Sequence, residues 1–328
     1  MKGLKNKLII TVILVLLFFL IALARENDLR VLVLDQDGER LEGAEVCAHI
    51  PFGGSGFVVR DRTDDEGEVT LSIPPRSSIN LLRIVKDGFY ESKYSMSQLK
   101  GPDAQYEMQG DYHKVTLKER LNPIPMYAWR SLKVTIPAFE EAIGFDLFEI
   151  DWVAPYGKGK HSDMTFHLSG YWNSFNDKDA TLRLSFPNEG DGIVAVEYDQ
   201  FSDFKSPYFA PSENYLKEKE WRRAQIKNEE YQPGSVEPQI LVIDETSRYR
   251  CYAFRIRSEI DEHGNIEKAY YGKFYRSINF DGVTREEMYS YIYLTYYLNP
   301  TANDRNLEFD PGQNLLQIKN FVERPREP

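Results

Sequence analysis

The side chains best able to do chemistry here are the five histidines, the two cysteines, a stretch reading DWVAPYGKGKHSD at residues 151–163, and a run of tyrosines before residue 300. His49, His113, His161, His167 and His263 are scattered, and none stands at ligand spacing from an Asp, Glu or Cys. Cys47 and Cys251 have no CxxC or CxxH neighbour, so a thiolate metal site or a redox motif is not indicated. They would form a disulfide only if the fold brought their Cα atoms within about 7 Å. There is no Gly-x-Ser-x-Gly elbow and no His-Glu-x-x-His pair, and Lys158 to Ser162 lacks the glycine spacing of a phosphate loop. The residues therefore point to no metal, no cofactor and no catalytic set. The 151–163 stretch mixes aromatic, basic and acidic side chains, and it reads either as a site loop or as a plain strand connection.

The tyrosines carry the clearest signal. In MYSYIYLTYYLNP, residues 288–300, Met288, Ser290, Ile292, Leu294, Tyr296 and Leu298 share one face of a strand. Tyr289, Tyr291, Tyr293 and Tyr297, with Thr295, share the other. The even face is the better core surface, because its aliphatic members contain no group that must find a hydrogen-bond partner. The odd face then meets solvent, another layer or a ligand. Flat rings with a hydroxyl at the rim stack well on sugars or on a protein partner, so these four tyrosines are the candidate ligand-binding residues. Tyrosine is also a favourable strand residue, so the same alternation serves a purely structural row.

The elements that position this row are strands. The chain has 328 residues, enough for two domains, and its 42% hydrophobic and 13% aromatic content describes a folded protein. From residue 29 onward, short apolar runs alternate with turns. LRVLVL precedes Asp35-Gln36-Asp37-Gly38, and FVVRDRT precedes Asp64-Asp65-Glu66-Gly67. Ala44, Val46, Ala48 and Ile50 alternate on an inner face, with Cys47 and His49 pointing outward. Runs at 68–73, 79–85 and 113–117 bring the number of strands to about seven, the count of an antiparallel sandwich.

These residues resemble a known family. VLVLDQDGERLEGAEV, then RTDDEGEVTL, then VKDGFY is similar to the carboxypeptidase-regulatory-like domain, a transthyretin-like β-sandwich of exported bacterial proteins, over residues 29–118. The resemblance implies a non-catalytic accessory module with no active site to transfer.

Asn122-Pro123-Ile124-Pro125 reads as a linker, after which further strands are expected at 132–136, 162–172, 180–186 and 192–198. SENYLKEKEWRRAQIKNEE, residues 212–230, reads as one surface helix capped by Ser212, with Glu218 and Arg222 at i,i+4 spacing. A long hairpin follows, 248–260 and 266–280 around Asp261 to Asn265, with Arg248, Arg250, Arg255 and Arg257 on a solvated, cross-strand paired face. The expected fold class is mainly β. The expected organisation is a leader at 1–24, a seven-strand transthyretin-like sandwich at 29–120, a linker at 121–131, a second antiparallel sandwich-like domain with one surface helix at 132–320, and a tail at 321–328.

The leader has the form of an export signal. Lys2, Lys5 and Lys7 precede an apolar run from Leu8 to Ala24 that ends in Ala22-Leu23-Ala24, so it is either cleaved after Ala24 or retained as a single membrane helix. Either way the body lies outside the cytoplasm. The net charge of −11 and the lack of any basic run exclude nucleic acid as a partner. The expected function is contact in the cell envelope with a glycan or another envelope protein. A secreted hydrolase of envelope glycans or peptides, its site unlocated, and a structural spacer are the alternatives.

Overall fold

The computed structural model describes residues 27–52, 55–74, 77–95, 108–109, 112–174, 177–228, 240–246, 250–276, 278–281 and 290–328. The leader at 1–24 and Tyr289 lie outside these residues. The chain divides into two compact units: one takes residues up to Arg120 together with Phe201–Asp203, and the other takes Leu121–Gln200 and Phe204–Pro328. The architecture is mainly β, with no helix of seven residues or more among the described residues. None of the described helices is long and apolar enough to cross a membrane.

The first unit holds β1 (Asn27–Asp35), β2 (Glu45–Phe52), β3 (Ser55–Arg62), β4 (Glu68–Ile73), β5 (Leu81–Val85), β6 (Ser92–Ser95), β7 (Met108–Gln109) and β8 (Tyr112–Leu117). They form two four-stranded sheets, ordered β4-β1-β8-β7 and β3-β2-β5-β6. Alternation makes the core: Leu29, Val31 and Val33 of one sheet meet Val46, Ala48 and Ile50 of the other. The pairing is not wholly antiparallel, because β1 lies parallel to β8. Cys47 does face away from this core, yet it is buried, since Arg60 and Arg83 stand opposite it on the flanking strands. Both cysteines are free thiols.

Hairpin register rests on a repeated turn. The Asp35 carboxylate accepts the N–H groups of Asp37 and Glu39, that of Asp64 accepts Glu66 and Glu68, and that of Asp261 accepts His263 and Asn265. In each turn a glycine three residues after the Asp takes positive φ: +87° at Gly38, +70° at Gly67 and +85° at Gly264. These carboxylates are thus engaged by their own backbones.

On the same unit, Arg83 grips Glu91 bidentately at 2.6 and 2.7 Å, and Lys93 adds a contact at 2.9 Å. The Arg83 hydrogen bonds hold the Glu91 carboxyl below its ordinary range. A depressed acid stabilises the fold above its unfolded pKa, and that contribution is lost as pH falls through the folded value. Glu91→Gln is therefore expected to cost about 1 kcal/mol at neutral pH, kept small by the half-open Arg83 side chain. The deficit should shrink as pH falls through and below the ordinary carboxyl range, as urea midpoints at neutral and acidic pH will show.

The second unit begins with β9 (Ile124–Ile136), so most of the expected linker is strand. Pro125 is accommodated because the ladder between β9 and its antiparallel neighbour starts only at Tyr127. It continues with β10 (Ala142–Asp146), β11 (Asp151–Trp152), β12 (Met164–Ser174), β13 (Asp177–Ser185), β14 (Gly192–Val196), β15 (Glu218–Lys227), β16 (Ile240–Asp244), β17 (Cys251–Ile260), β18 (Ile266–Tyr275), β19 (Asn279–Asp281), β20 (Ser290–Leu298) and β21 (Phe309–Asn314). One sheet runs β11-β10-β12-β13-β15-β16; the other runs β14-β17-β18-β20-β9-β21, with β19 also on β20. Phe145, Phe166, Leu182 and Trp221 of the first meet Phe254, Phe274, Ile292 and Tyr296 of the second in one core.

The expected surface helix at 212–230 is corrected: residues 218–227 are β15, an inner strand between β13 and β16. Its charges pair across strands and not along a helix. Arg222 grips Asp179 at 2.8 and 2.7 Å, and Glu220 accepts from Arg183 at 2.6 Å. Trp221 then points inward. Two flanking ladders outweigh a helix preference that amounts to only tenths of a kcal/mol per residue.

Candidate functional site

Two places in the second unit concentrate candidate side chains: the tyrosine row on β20, and the 146–163 loop with the bulge in β17. On β20 the even face is core, with Ser290, Ile292, Leu294, Tyr296 and Leu298 all buried. The odd face is divided. Tyr291 and Tyr293 are half-buried, while Tyr297 is 0% exposed. The division follows from what covers the sheet. Around Tyr297 the outer face carries a second apolar cluster, with Met126, Ala128, Cys251, Tyr275 and Phe309. Tyr297 thus meets another layer, and it is no surface ring. Tyr289, the fourth expected member, lies outside the described residues.

Tyr291 and Tyr293 sit between Thr135 and Lys133 on β9 and Asp281 and Asn279 on β19, each directly opposite in register. Their ring centroids are 6.5 Å apart and tilted by 46°. The Lys133 ammonium lies 3.6 Å from the Tyr291 centroid and 5.8 Å from that of Tyr293. Burial, with Asp281 beside it, raises the Tyr293 hydroxyl above its ordinary pKa, so at neutral pH it is a protonated donor. The result is a strip of two rings, one cation and one carboxylate on the outside of the sheet.

The 151–163 stretch is organised by acids that sequence reading did not single out. Asp146 ends β10; its Oδ1 accepts the N–H of Phe148 and Glu149, and its Oδ2 accepts those of Lys160 and His161, closing the loop on itself. Asp163 accepts from Leu147 N at 2.8 Å. Opposite them, β17 is bulged between Ile256 and Glu259, and Arg257 adopts φ +52°. The bulge turns Arg257 off the expected solvated face and into the loop. Its Nε donates to Asp163 Oδ1 at 2.6 Å, and its Nη2 donates to Asp146 Oδ1 at 2.9 Å. Asp191 accepts the backbone N–H groups of Arg257 and Ser258 at 2.9 and 2.8 Å, and the Phe148 ring lies 4.3 Å under the guanidinium.

The three carboxylates are 0%, 1% and 2% exposed at Asp146, Asp163 and Asp191. Burial pushes Asp163 and Asp191 up. Burial acts the same way on Asp146, but the loop N–H groups and Arg257 outweigh it and hold that carboxyl low. Above them lies an open groove of about 480 Å³, edged by His161, Ser162, Tyr270 and the exposed Glu259–Lys268 pair. Every oxygen of the three acids already accepts a hydrogen bond, so the acids hold loop and bulge together. Among the described residues no group of His, Cys, Asp and Glu has the arrangement of a metal site.

Comparison with protein families, curated proteins and solved structures finds no match.

Proposed function

We propose that this is an exported, non-catalytic binding protein of the cell envelope, whose contact surface is the Tyr291–Tyr293 strip with Lys133 and Asp281, and whose ligand is a glycan. One observation carries the reading: two adjacent rings lie on an outer sheet face, flanked within one strand spacing by a cation and a carboxylate. Rings supply stacking area, and the charged neighbours supply hydrogen bonds to sugar hydroxyls. An envelope protein is the alternative partner. A hydrolase would need an acid open to its groove; the one exposed carboxylate lining it, Glu259, is paired with Lys268 at 2.5 Å, while Asp163 and Asp191 are engaged by Arg257 and backbone N–H groups. The first unit, by its resemblance to the carboxypeptidase-regulatory-like domain, serves as an accessory module. The leader delivers both units outside the cytoplasm, and N-terminal sequencing of protein from its host will find Arg25 first if the leader is removed.

The test is a glycan array probed with the parent and with Tyr291→Ala/Tyr293→Ala. Loss of stacking is expected to weaken binding at least about tenfold, on the scale of a kcal/mol or more per ring pair. Equal signals from the two proteins would reject the strip. Array silence together with Tyr-dependent capture of one envelope protein would move the reading to the alternative.

A further inference from the structure

The least ordinary side chain in the second unit is Lys273 on β18, which is 0% exposed. A lysine so deeply buried must have its ammonium satisfied. Its Nζ donates to Ser206 Oγ at 3.0 Å, Tyr275 Oη at 3.2 Å and the Pro328 oxygen at 2.9 Å. Three rings enclose it, with centroids 4.9 Å away at Phe204, 4.5 Å at Tyr275 and 4.9 Å at Tyr297. Tyr275 donates its own hydroxyl to the same Pro328 oxygen at 2.6 Å. Two donors therefore converge on one acceptor inside an aromatic cage. The buried Tyr297 hydroxyl finds no partner among the described residues. Beside the cage is a small cavity of about 70 Å³, whose lining includes Arg130, Lys205, Arg276 and Glu327.

The approach of this segment is built as well. The Asn314 side chain pairs with both backbone groups of Ala128, Leu315 N donates to Met126 O at 2.9 Å, and Arg324 Nε donates to Ile318 O at 2.8 Å. Cys251 shares one buried cluster with Tyr275 and Tyr297, the two cage tyrosines.

We infer that Lys273 and its cage form a peptide-binding pocket for an acidic Glu-Pro segment, filled in cis by Glu327 and Pro328, so that residues 315–328 act as a latch that holds Tyr275 and, through it, the cluster containing Cys251. A partner presenting the same chemistry, a carboxylate followed by a proline oxygen, competes for the pocket and opens the latch.

The experiment compares the full chain with Lys273→Met, which fills the cage without the charge, and with a deletion of residues 325–328. Hydrogen exchange across 315–324 is followed together with maleimide labelling of each cysteine by mass spectrometry. Both variants should lose protection in that segment and label Cys251 about tenfold faster or more, while Cys47, in the other unit, keeps its rate. Added peptide NFVERPREP should restore slow Cys251 labelling in the deletion variant, but not when Lys273→Met is combined with it. Unchanged labelling of Cys251 in Lys273→Met, equal acceleration at both cysteines, or failure of the peptide to restore protection would overturn the proposal.

Discussion

Arg257→Ala is expected to lower the stability of the second unit by about 3–5 kcal/mol, because it leaves Asp146 and Asp163 buried without their cation. Both carboxylates have fully buried side chains, and one guanidinium serves the two at 2.9 and 2.6 Å. The loss should carry a pH signature. Burial already raises Asp163 above the ordinary carboxyl range, and removing Arg257 raises it further and releases Asp146 upward too. The folded variant then binds more protons than its unfolded chain over the acidic range, so its stability climbs as pH falls. Urea unfolding at about pH 7 and about pH 5 should therefore find a smaller deficit at the lower pH. A deficit below about 1 kcal/mol, or one that does not change with pH, would show that the acids do not depend on Arg257. Arg257→Lys should fall between, since it keeps the charge but loses the fork that reaches two carboxylates at once.

Trp221→Ala is the second large change expected, about 3 kcal/mol or more. Its ring is 1% exposed and meets Tyr252 edge-on at 5.8 Å across the core between the two sheets. The buried indole N–H has no acceptor among the described residues. Trp221→Phe removes that unsatisfied donor while keeping an aromatic body, so it should stay within about 1.5 kcal/mol of the parent. Chemical denaturation of both variants separates the contributions of volume and polarity. Near-equal losses would mean that the indole is held by a polar contact and not by packing. Were residues 218–227 a surface helix with a pinned Trp, as the charge spacing suggests, neither change would approach this size. The experiment therefore also tests β15 as an inner strand.

Much of the mainly β architecture can be read from alternation alone. The inner faces of β1 and β2, the turns at Asp35, Asp64 and Asp261, and the long hairpin of β17 and β18 all follow from period-two patterning closed by an Asp-to-Gly signal. These features are local. A turn needs one carboxylate, two N–H groups and one glycine, all within five residues of sequence.

The even face of β20 was also legible, because aliphatic side chains at every second place leave only one face fit for a core. What covers the opposite face was not. Tyr293 and Tyr297 sit on that same face, yet Tyr297 is sealed beneath Tyr275 and Phe309 while Tyr293 remains half-open. Sequence period names a face but not the layer laid over it, since that layer comes from residues far away in the chain.

By itself, then, the amino-acid order determined the strand-rich class, the direction of most side chains and the hairpin turns, because each of these is set over a few neighbouring residues. Tertiary structure alone decided that 218–227 would be a strand, that Arg257 would turn inward to two aspartates, and that Lys273 would be caged around Pro328. A charged side chain has no preferred partner in sequence. Its position is set by whichever opposite charge or acceptor the folded chain leaves buried beside it, and by the free energy lost if that group stays unpaired.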